Sequence, residues 1–211
     1  MPTRVKICGI TELDDLAMVC AAGADAVGFN FHPASPRFVT AEQLTRLMAE
    51  LPPFVEPVAV WVSRTYLDAR VAMAPWPRLI TVQMHGDIEA INGAYIPAFA
   101  PRTAADLRRI DAYLEQCRPL AVLVDGHAAG LHGGTGRCAP WELLEGWKPA
   151  VPWILAGGLT PENVGQAIRR LRPYAVDVAS GVESCPGRKC GEKVRRFLDA
   201  VCEADLSEPA E

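Results

Sequence analysis

Eight short apolar segments, nearly all followed by a helical pattern, constrain the fold of this chain more than any other feature. Most of them are rich in Val and other apolar residues, which is typical of buried strands. The predicted strands cover residues 4–8, 25–31, 56–62, 78–85, 93–100, 120–124, 151–156 and 174–179. Strands that alternate with helices indicate βα units, which build a parallel sheet.

Helical spacing of apolar residues fills most of the intervals between these strands. The predicted helices cover residues 12–22, 40–50, 65–74, 103–117, 140–147, a segment that opens at Pro161, and residues 189–203. Thr11 and Thr40 are good N-caps for the first two helices, and Pro161 suits a first helical turn because that position needs no backbone N–H. The segment after Gly86 is too short to predict a helix.

This number of units favours a single-domain α/β protein folded as a TIM (β/α)8 barrel. A chain of 211 residues is close to the lower size limit of about 200 for that fold. The alternative is a doubly wound sheet, which usually has fewer strands and a glycine-rich turn after its first strand. Here the glycines cluster after strands six, seven and eight. We expect a barrel domain over residues 1–204 and a short tail over residues 205–211.

Charge and composition argue against several classes of protein. A net charge of −4 without a run of Lys or Arg disfavours a nucleic-acid surface. No apolar stretch approaches the ~20 residues of a membrane span, and the N-terminus shows no signal-peptide pattern. Seven scattered cysteines without a Cys-x-x-Cys pair favour reduced thiols over disulfides or structural zinc. We therefore expect a cytoplasmic protein that binds no metal, no nucleic acid and no membrane.

The first strand ends in a thiol, at the edge of the sheet where ligands bind in parallel α/β folds. A strand's period of two places Lys6 and Cys8 on one face and Val5 and Ile7 on the other. The thiol is therefore a candidate for chemistry at a barrel mouth. The alternative is a small buried apolar residue, which free cysteine often is.

A carboxylate and two glycine turns occupy the corresponding ends of later strands. Asp125 ends strand six and precedes a glycine-rich loop that reaches residue 137. That position suits acid–base catalysis or, alternatively, capping of the loop. Gly157-Gly158 follows strand seven and Ser180-Gly181 follows strand eight. Backbone N–H groups of such turns can cradle a phosphate, and the alternative is that the glycines only make tight turns.

Six motifs follow one another along the chain: Lys6–Thr11, Ser35–Arg37, Val82–Gly86, Asp125 with Gly133–Gly136, Ala156–Leu159 and Val176–Glu183. Together they closely resemble the phosphoribosylanthranilate isomerases of tryptophan biosynthesis, over about residues 4–200. The resemblance implies an Amadori rearrangement of N-(5-phosphoribosyl)anthranilate to 1-(2-carboxyphenylamino)-1-deoxyribulose 5-phosphate. It also implies a small phosphorylated substrate, no metal or cofactor, and a monomer or homodimer.

The resemblance assigns roles to individual positions. Asp125 matches the acid that opens the sugar ring, Cys8 the base that removes the C2 proton, and Arg37 the residue that holds the anthranilate carboxylate. Because an unperturbed thiol has a pKa of ~8.5, the base must gain thiolate character from its surroundings. Lys6 either supports that thiolate or forms an ion pair with Asp177 on the last strand.

Other polar residues are predicted from their positions alone. Gln83 and His85 share parity on strand four, so both are expected to face the barrel axis and line the substrate site. The alternative for His85 is a hydrogen-bonded structural histidine. His32, His127 and His132 are predicted to be loop residues, and no His spacing suggests a metal site.

Three positions depart from the family pattern. Gly126 stands where a small polar residue is usual, His132 where an aromatic residue is common, and Cys190 where an Asp is usual. The first two are expected to change loop packing, and Cys190 to alter a helix N-terminus.

Two rival functions stay open at this point. A lyase resembling indole-glycerol-phosphate synthase would need catalytic lysines at strand ends, and no predicted strand after the first ends in one. The other rival is a barrel that binds a phosphorylated ligand without turning it over.

Overall fold

Eight parallel strands close into a barrel in chain order in the computed structural model of the protein, and the last strand pairs with the first. The structure describes residues 1–62, 65–76, 80–90, 93–125 and 141–207. The barrel strands are β1 Arg4–Cys8, β2 Ala26–Asn30, β3 Glu56–Val62, β4 Thr81–His85, β5 Tyr95–Phe99, β6 Val122–Asp125, β7 Trp153–Ala156 and β8 Ala175–Val178. The predicted TIM barrel is confirmed, with each strand inside or within one residue of its predicted range.

Helices lie in most of the intervals between strands. They are α1 Leu13–Ala21, α2 Ala41–Glu50, α3 Tyr66–Met73, α4 Ala104–Gln116, α5 Trp141–Leu144, α6 Val164–Leu171 and α7 Gly191–Leu206. The described residues between β4 and β5 contain no helix, as expected from the short segment after Gly86. Within the ranges that the structure describes, none of the helices has both the length and the apolar character to cross a membrane.

Alternation of side chains along the strands separates two layers. Val5 and Ile7 belong to the apolar core between the barrel and its helices, whereas Lys6 points into the barrel. The ammonium Nζ of Lys6 lies 2.9 Å from Oδ1 of Asp177 on β8, and both side chains are buried. The predicted orientation of β1 and the predicted Lys6–Asp177 ion pair are therefore confirmed.

A small antiparallel hairpin that was not predicted follows β8. A 3₁₀ turn, Ser180–Val182, leads into β9 Glu183–Cys185, which pairs with β10 Arg188–Lys189. The prediction that the last helix begins at residue 189 was wrong, because Lys189 belongs to this hairpin. That helix also continues to Leu206, past its predicted end at residue 203.

Two predicted helix starts were wrong for reasons of local hydrogen bonding. Thr11 is not an N-cap, because its hydroxyl donates to the carbonyl of Gly187 at 2.9 Å and Glu12 occupies the N-cap position instead. Pro161 precedes α6 because the Asn163 side chain accepts from the N–H of Thr160 and donates to the Gly158 carbonyl. These bonds hold the intervening residues as a turn. The predicted cap at Thr40 is confirmed, as part of a capping box with Gln43.

Cys190 is the N-cap of α7, and its side chain makes no capping hydrogen bond. We predict that Cys190→Asp stabilises the protein by about 1 kcal/mol, because a carboxylate there can accept a free N–H of the first helical turn. The melting temperature should rise by about 2–4 °C for a chain of this size. Cys202→Asp, at an exposed position within the same helix, is the matched control. An equal rise in both variants would contradict a capping effect.

Candidate active site

A cavity of about 770 Å³ opens at the carboxyl ends of the barrel strands. Its wall contains every residue that the sequence analysis placed in the site: Cys8, Arg37, Gln83, His85, Asp125, Gly157, Gly158, Ser180 and Gly181. Their common location is what the barrel topology requires, since the carboxyl ends of parallel strands meet at one face. The cavity therefore brings the predicted residues together, and their individual roles stay predictions.

Cys8 lies at the end of β1, against β2. A Cβ atom at Gly28 would lie 2.6 Å from the Cys8 sulfur, so the thiol occupies space that only glycine leaves open. Burial raises the pKa of Cys8, while the charge of Lys6 lowers it, that of Asp177 raises it, and that of Lys189 lowers it. The net direction is upward, away from thiolate. The positive charges of Lys6 and Lys189 favour the thiolate, as the sequence predicts, but burial outweighs them.

Asp125 is the last residue of β6 and is half-buried in the cavity wall. The glycine-rich loop that follows it, with Gly126, His127, His132 and Gly133–Gly136, lies outside the described residues. The expected effects of Gly126 and His132 on that loop therefore stay predictions.

Gln83 and His85 face the cavity from β4, as their parity predicts. The Nε2 atoms of the two side chains lie 2.8 Å apart, and burial lowers the pKa of His85 although the charge of Asp125 opposes it. His85 is thus both hydrogen-bonded and part of the site wall. The amide oxygen of Gln83 is buried and has no hydrogen-bond partner among the described residues. The end of the amide that does not bind His85 can therefore contact a ligand. Because the O and N positions of an amide are interchangeable, that end can serve as an acceptor or as a donor.

Arg37 comes from the loop between β2 and α2, and its guanidinium already binds a carboxylate of the protein. Its Nε donates to Oε1 of Glu183 at 2.8 Å and its NH2 to Oε2 at 2.7 Å, a bidentate pair. A Cβ atom at Gly9 would lie 2.4 Å from Cδ of Arg37, so glycine is required for this packing. The fork of Arg37, which could otherwise bind the anthranilate carboxylate with two hydrogen bonds, is therefore occupied by Glu183. The remaining N–H groups of Arg37 are the ones that can reach a ligand.

Lys189 and Glu183 are polar residues at the barrel mouth to which the sequence reasoning gave no role. The contacts of Lys189 extend furthest. Its ammonium donates to the carbonyl of Cys8 at 2.6 Å, to the carbonyl of Ala179 at 3.3 Å and to Glu183 Oε1 at 2.9 Å. A lysine thus reaches the barrel mouth from β10, although none ends a described barrel strand after β1. The Pro186-Gly187 pair between two short extended segments was the sequence signal for this hairpin.

The glycine turns after β7 and β8 touch each other. Gly157 and Gly158 have φ angles of +88° and +65°, which favour glycine. A Cβ atom at Gly181 would lie 1.9 Å from the carbonyl oxygen of Leu159. Close packing alone therefore requires glycine at position 181, and this requirement holds with or without a bound anion. Among the described residues, no three His, Cys, Asp or Glu side chains are grouped to hold a metal ion.

The fold and the cavity define a (β/α)8-barrel protein with an enzyme-type site at the carboxyl face of the barrel. The model of the N-(5'-phosphoribosyl)anthranilate (PRA) isomerase family matches residues 5–200 of the chain. The chain belongs to this family.

Relatives and solved structures agree with that assignment. The N-(5'-phosphoribosyl)anthranilate isomerase of Geobacter metallireducens is 45% identical over 202 residues, which cover 92% of this chain and 96% of the relative. The phosphoribosyl anthranilate isomerase of Thermotoga maritima superposes with a TM-score of 0.81 at 35% identity, covering 95% of this chain and 99% of that one. A second structure, an isomerase in complex with reduced 1-(o-carboxyphenylamino)-1-deoxyribulose 5-phosphate, has a TM-score of 0.75 and 34% identity, with the same coverage.

The contact between Gly28 and Cys8 gives a test of the thiol's position. Gly28→Ala places a methyl group 2.6 Å from the sulfur, so the thiol or the strand must shift. We predict that kcat for the family's reaction falls about 10²-fold, since a misplacement near 1 Å costs that much. Gly191→Ala is the matched control, because within the described part of the chain its Cβ would meet Met18 at 3.6 Å, an ordinary van der Waals distance. A folded Gly28→Ala variant with an unchanged kcat would show that the position of Cys8 is unimportant.

Proposed function

We propose that this protein catalyses the Amadori rearrangement of N-(5-phosphoribosyl)anthranilate to 1-(2-carboxyphenylamino)-1-deoxyribulose 5-phosphate by general acid–base catalysis. One observation carries the proposal: a thiol on β1 and a carboxylate on β6 line one cavity with two glycine turns, in a chain of the PRA isomerase family. Such a pair suits a substrate that must be protonated at one atom and deprotonated at another.

The proposed mechanism assigns a residue to each of its first two proton transfers. Asp125 donates a proton to the ring oxygen, so that the furanose opens to an iminium ion. Cys8, as thiolate, removes the proton from C2 and leaves an enamine. The enamine takes up a proton at C1 as the C2 hydroxyl becomes a ketone. Apart from cleavage of the ring C1–O bond, only protons and double bonds move, and no external oxidant or reductant is needed. The proposal therefore includes no metal or cofactor.

Binding of the substrate is proposed to use both ends of the molecule. The N–H groups of Arg37 that do not bind Glu183 would hold the anthranilate carboxylate. The backbone N–H groups of Gly158 and Gly181 would hold the phosphate, in the place where (β/α)8 barrels frequently bind one. The Gln83 amide and His85 would contact the sugar between them, and Gly157 and Ser180 would complete the phosphate end.

Other properties of the protein stay predictions. They are a cytoplasmic location, the absence of nucleic-acid and membrane partners, and a monomeric or homodimeric state. Light scattering of the purified protein would measure the molar mass and so decide between monomer and dimer.

The assay is direct. The purified protein is incubated with freshly generated phosphoribosylanthranilate, and the loss of substrate fluorescence is followed. A first-order loss above the uncatalysed rate, in proportion to protein concentration, is expected. A protein that bound the substrate but left its lifetime unchanged would be the binding barrel, and the proposed function would be wrong.

We predict that Cys8→Ser and Asp125→Asn each lower kcat by about 10²–10⁴-fold, the usual contribution of a positioned acid or base. KM should change little. The double variant should lose far less than the product of the single effects, because both steps are needed for one turnover. In the unmodified protein, kcat/KM should rise with pH on the acidic side of the profile as the base ionises. This rise should be altered in Cys8→Ser. A wild-type rate in Cys8→Ser would reduce the thiol to a packing residue, and one in Asp125→Asn would move the acid elsewhere, with His85 the first candidate.

The phosphate end can be tested without disturbing the glycine turns. Replacing Gly181 by Val is unsuitable, because its Cβ would clash with Leu159. Ser180 is exposed in the same turn, and Ser180→Asp should raise KM by at least about tenfold through repulsion of the phosphate. Inhibition by inorganic phosphate should weaken in parallel. Ser207→Asp, at the exposed end of α7, is the matched control; equal KM values in the two variants would place the phosphate elsewhere.

A further inference from the structure

The side chain of Lys189 is completely buried. An ammonium has three N–H donors, and here three acceptors surround it: the carbonyls of Cys8 and Ala179, and Oε1 of Glu183. A neutral amine would turn a lone pair toward one of these oxygens. This geometry fits an ammonium. Burial lowers the pKa of Lys189, and the hydrogen bond to Glu183 and the charge of Glu183 oppose that shift. The Nζ atom thus joins the ends of β1 and β8.

Glu183 is shared by two cations. Its Oε1 accepts from both Arg37 Nε and Lys189 Nζ, while its Oε2 accepts from NH2 of Arg37. Burial disfavours the carboxylate, yet the hydrogen bonds from Arg37 and Lys189 outweigh it, and the pKa of Glu183 lies below its ordinary value. One carboxylate thus fixes the guanidinium of Arg37 relative to Lys189.

The hairpin that carries these two residues is itself anchored to the barrel mouth. The backbone N–H of Lys189 donates to the buried carboxylate of Asp15 on α1 at 2.9 Å. The Thr11 hydroxyl binds the Gly187 carbonyl, and a Cβ at Gly187 would lie 2.8 Å from the carbonyl oxygen of Pro36. The hairpin therefore packs against the loops that follow β1 and β2, and it cannot shift without moving them.

From this geometry we propose that Lys189 and Glu183 are positioning residues of the reaction assigned above. Lys189 holds the carbonyl end of β1, and with it Cys8, while Glu183 sets the direction of Arg37. The inference rests on the proposed function for its kinetic consequences. Neither residue needs to touch the substrate; they act through Cys8 and Arg37.

The charge of Lys189 also affects the thiol. The charged groups that act on Cys8 are Lys6 on the same strand, Asp177 on β8, Lys189 on the hairpin and Arg37 on the loop after β2. Burial raises the pKa of Cys8, and Lys189 is one of the cations that lower it. Removing this cation should therefore make ionisation of the thiol harder.

The experiment compares Lys189→Met with Arg188→Met. Arg188 lies on the same hairpin, is exposed, and forms an ion pair with Glu12 at 3.4 Å, so the control loses one positive charge outside the site. The rate of Cys8 alkylation by iodoacetamide is measured against pH, with the Cys8 peptide followed by mass spectrometry. The alkylation midpoint should move to higher pH in Lys189→Met and stay in place in Arg188→Met. If Lys189→Met does not fold, Lys189→Gln keeps N–H donors without the charge and should show the same shift.

Kinetics test the two residues separately. Lys189→Met should lower kcat by about tenfold or more with a smaller change in KM, because its effect falls on the base. Glu183→Gln should raise KM by about tenfold with a smaller change in kcat, the loss expected when one charge-assisted contact is misdirected. Folded variants with the wild-type alkylation profile and wild-type constants would overturn the proposal. If the wild-type protein fails to consume phosphoribosylanthranilate, the proposed function is wrong, and the alkylation profile still decides whether Lys189 controls Cys8.

Discussion

The pairing of β8 with β1 is the constraint on which the site depends. Its register sets Lys6 beside Asp177, so that a buried ammonium meets a buried carboxylate across the seam of the barrel. Each charge would be costly alone, because neither is accessible to water. The same closure brings the ends of both strands together, where one ammonium from Lys189 binds the carbonyls of Cys8 and Ala179. The contact between β1 and β8 is thus stabilised by these charged groups as well as by the hydrogen bonds between the two strands.

The first and last parts of the chain therefore build most of the mouth. Lys6 and Asp177 are 171 residues apart, Arg37 and Glu183 are 146 apart, and the Cys8 carbonyl is 181 residues from Lys189. Contacts of such separation form only when the barrel closes. The site is consequently a product of closure, and damage to the pairing of β1 with β8 should displace Cys8 and Arg37 together.

Local pattern predicted the directions of side chains well and their partners poorly. A period of two placed Lys6, Gln83 and His85 inside the barrel, because in a strand orientation follows from parity alone. It could not show that Glu183 occupies the fork of Arg37, since that pairing depends on where a loop and a hairpin meet in space. Lys189 was missed for a related reason: helical spacing was extended backward over a two-residue strand, which is too short for periodicity to detect.

Three glycines at the barrel mouth are required by packing, independently of any chemical role. Gly9, Gly28 and Gly181 each leave room for a neighbour that a Cβ would strike, namely Arg37, the Cys8 sulfur and the Leu159 carbonyl. Because these glycines have no Cβ atom, neighbouring segments can approach closely enough for the predicted site residues to line one cavity. An anion site at the turn after β8 is compatible with this packing, but the glycine at position 181 does not require it. A negative charge at the exposed position of Ser180 separates the two explanations, because it disfavours a bound phosphate without entering the space that Leu159 occupies beside Gly181.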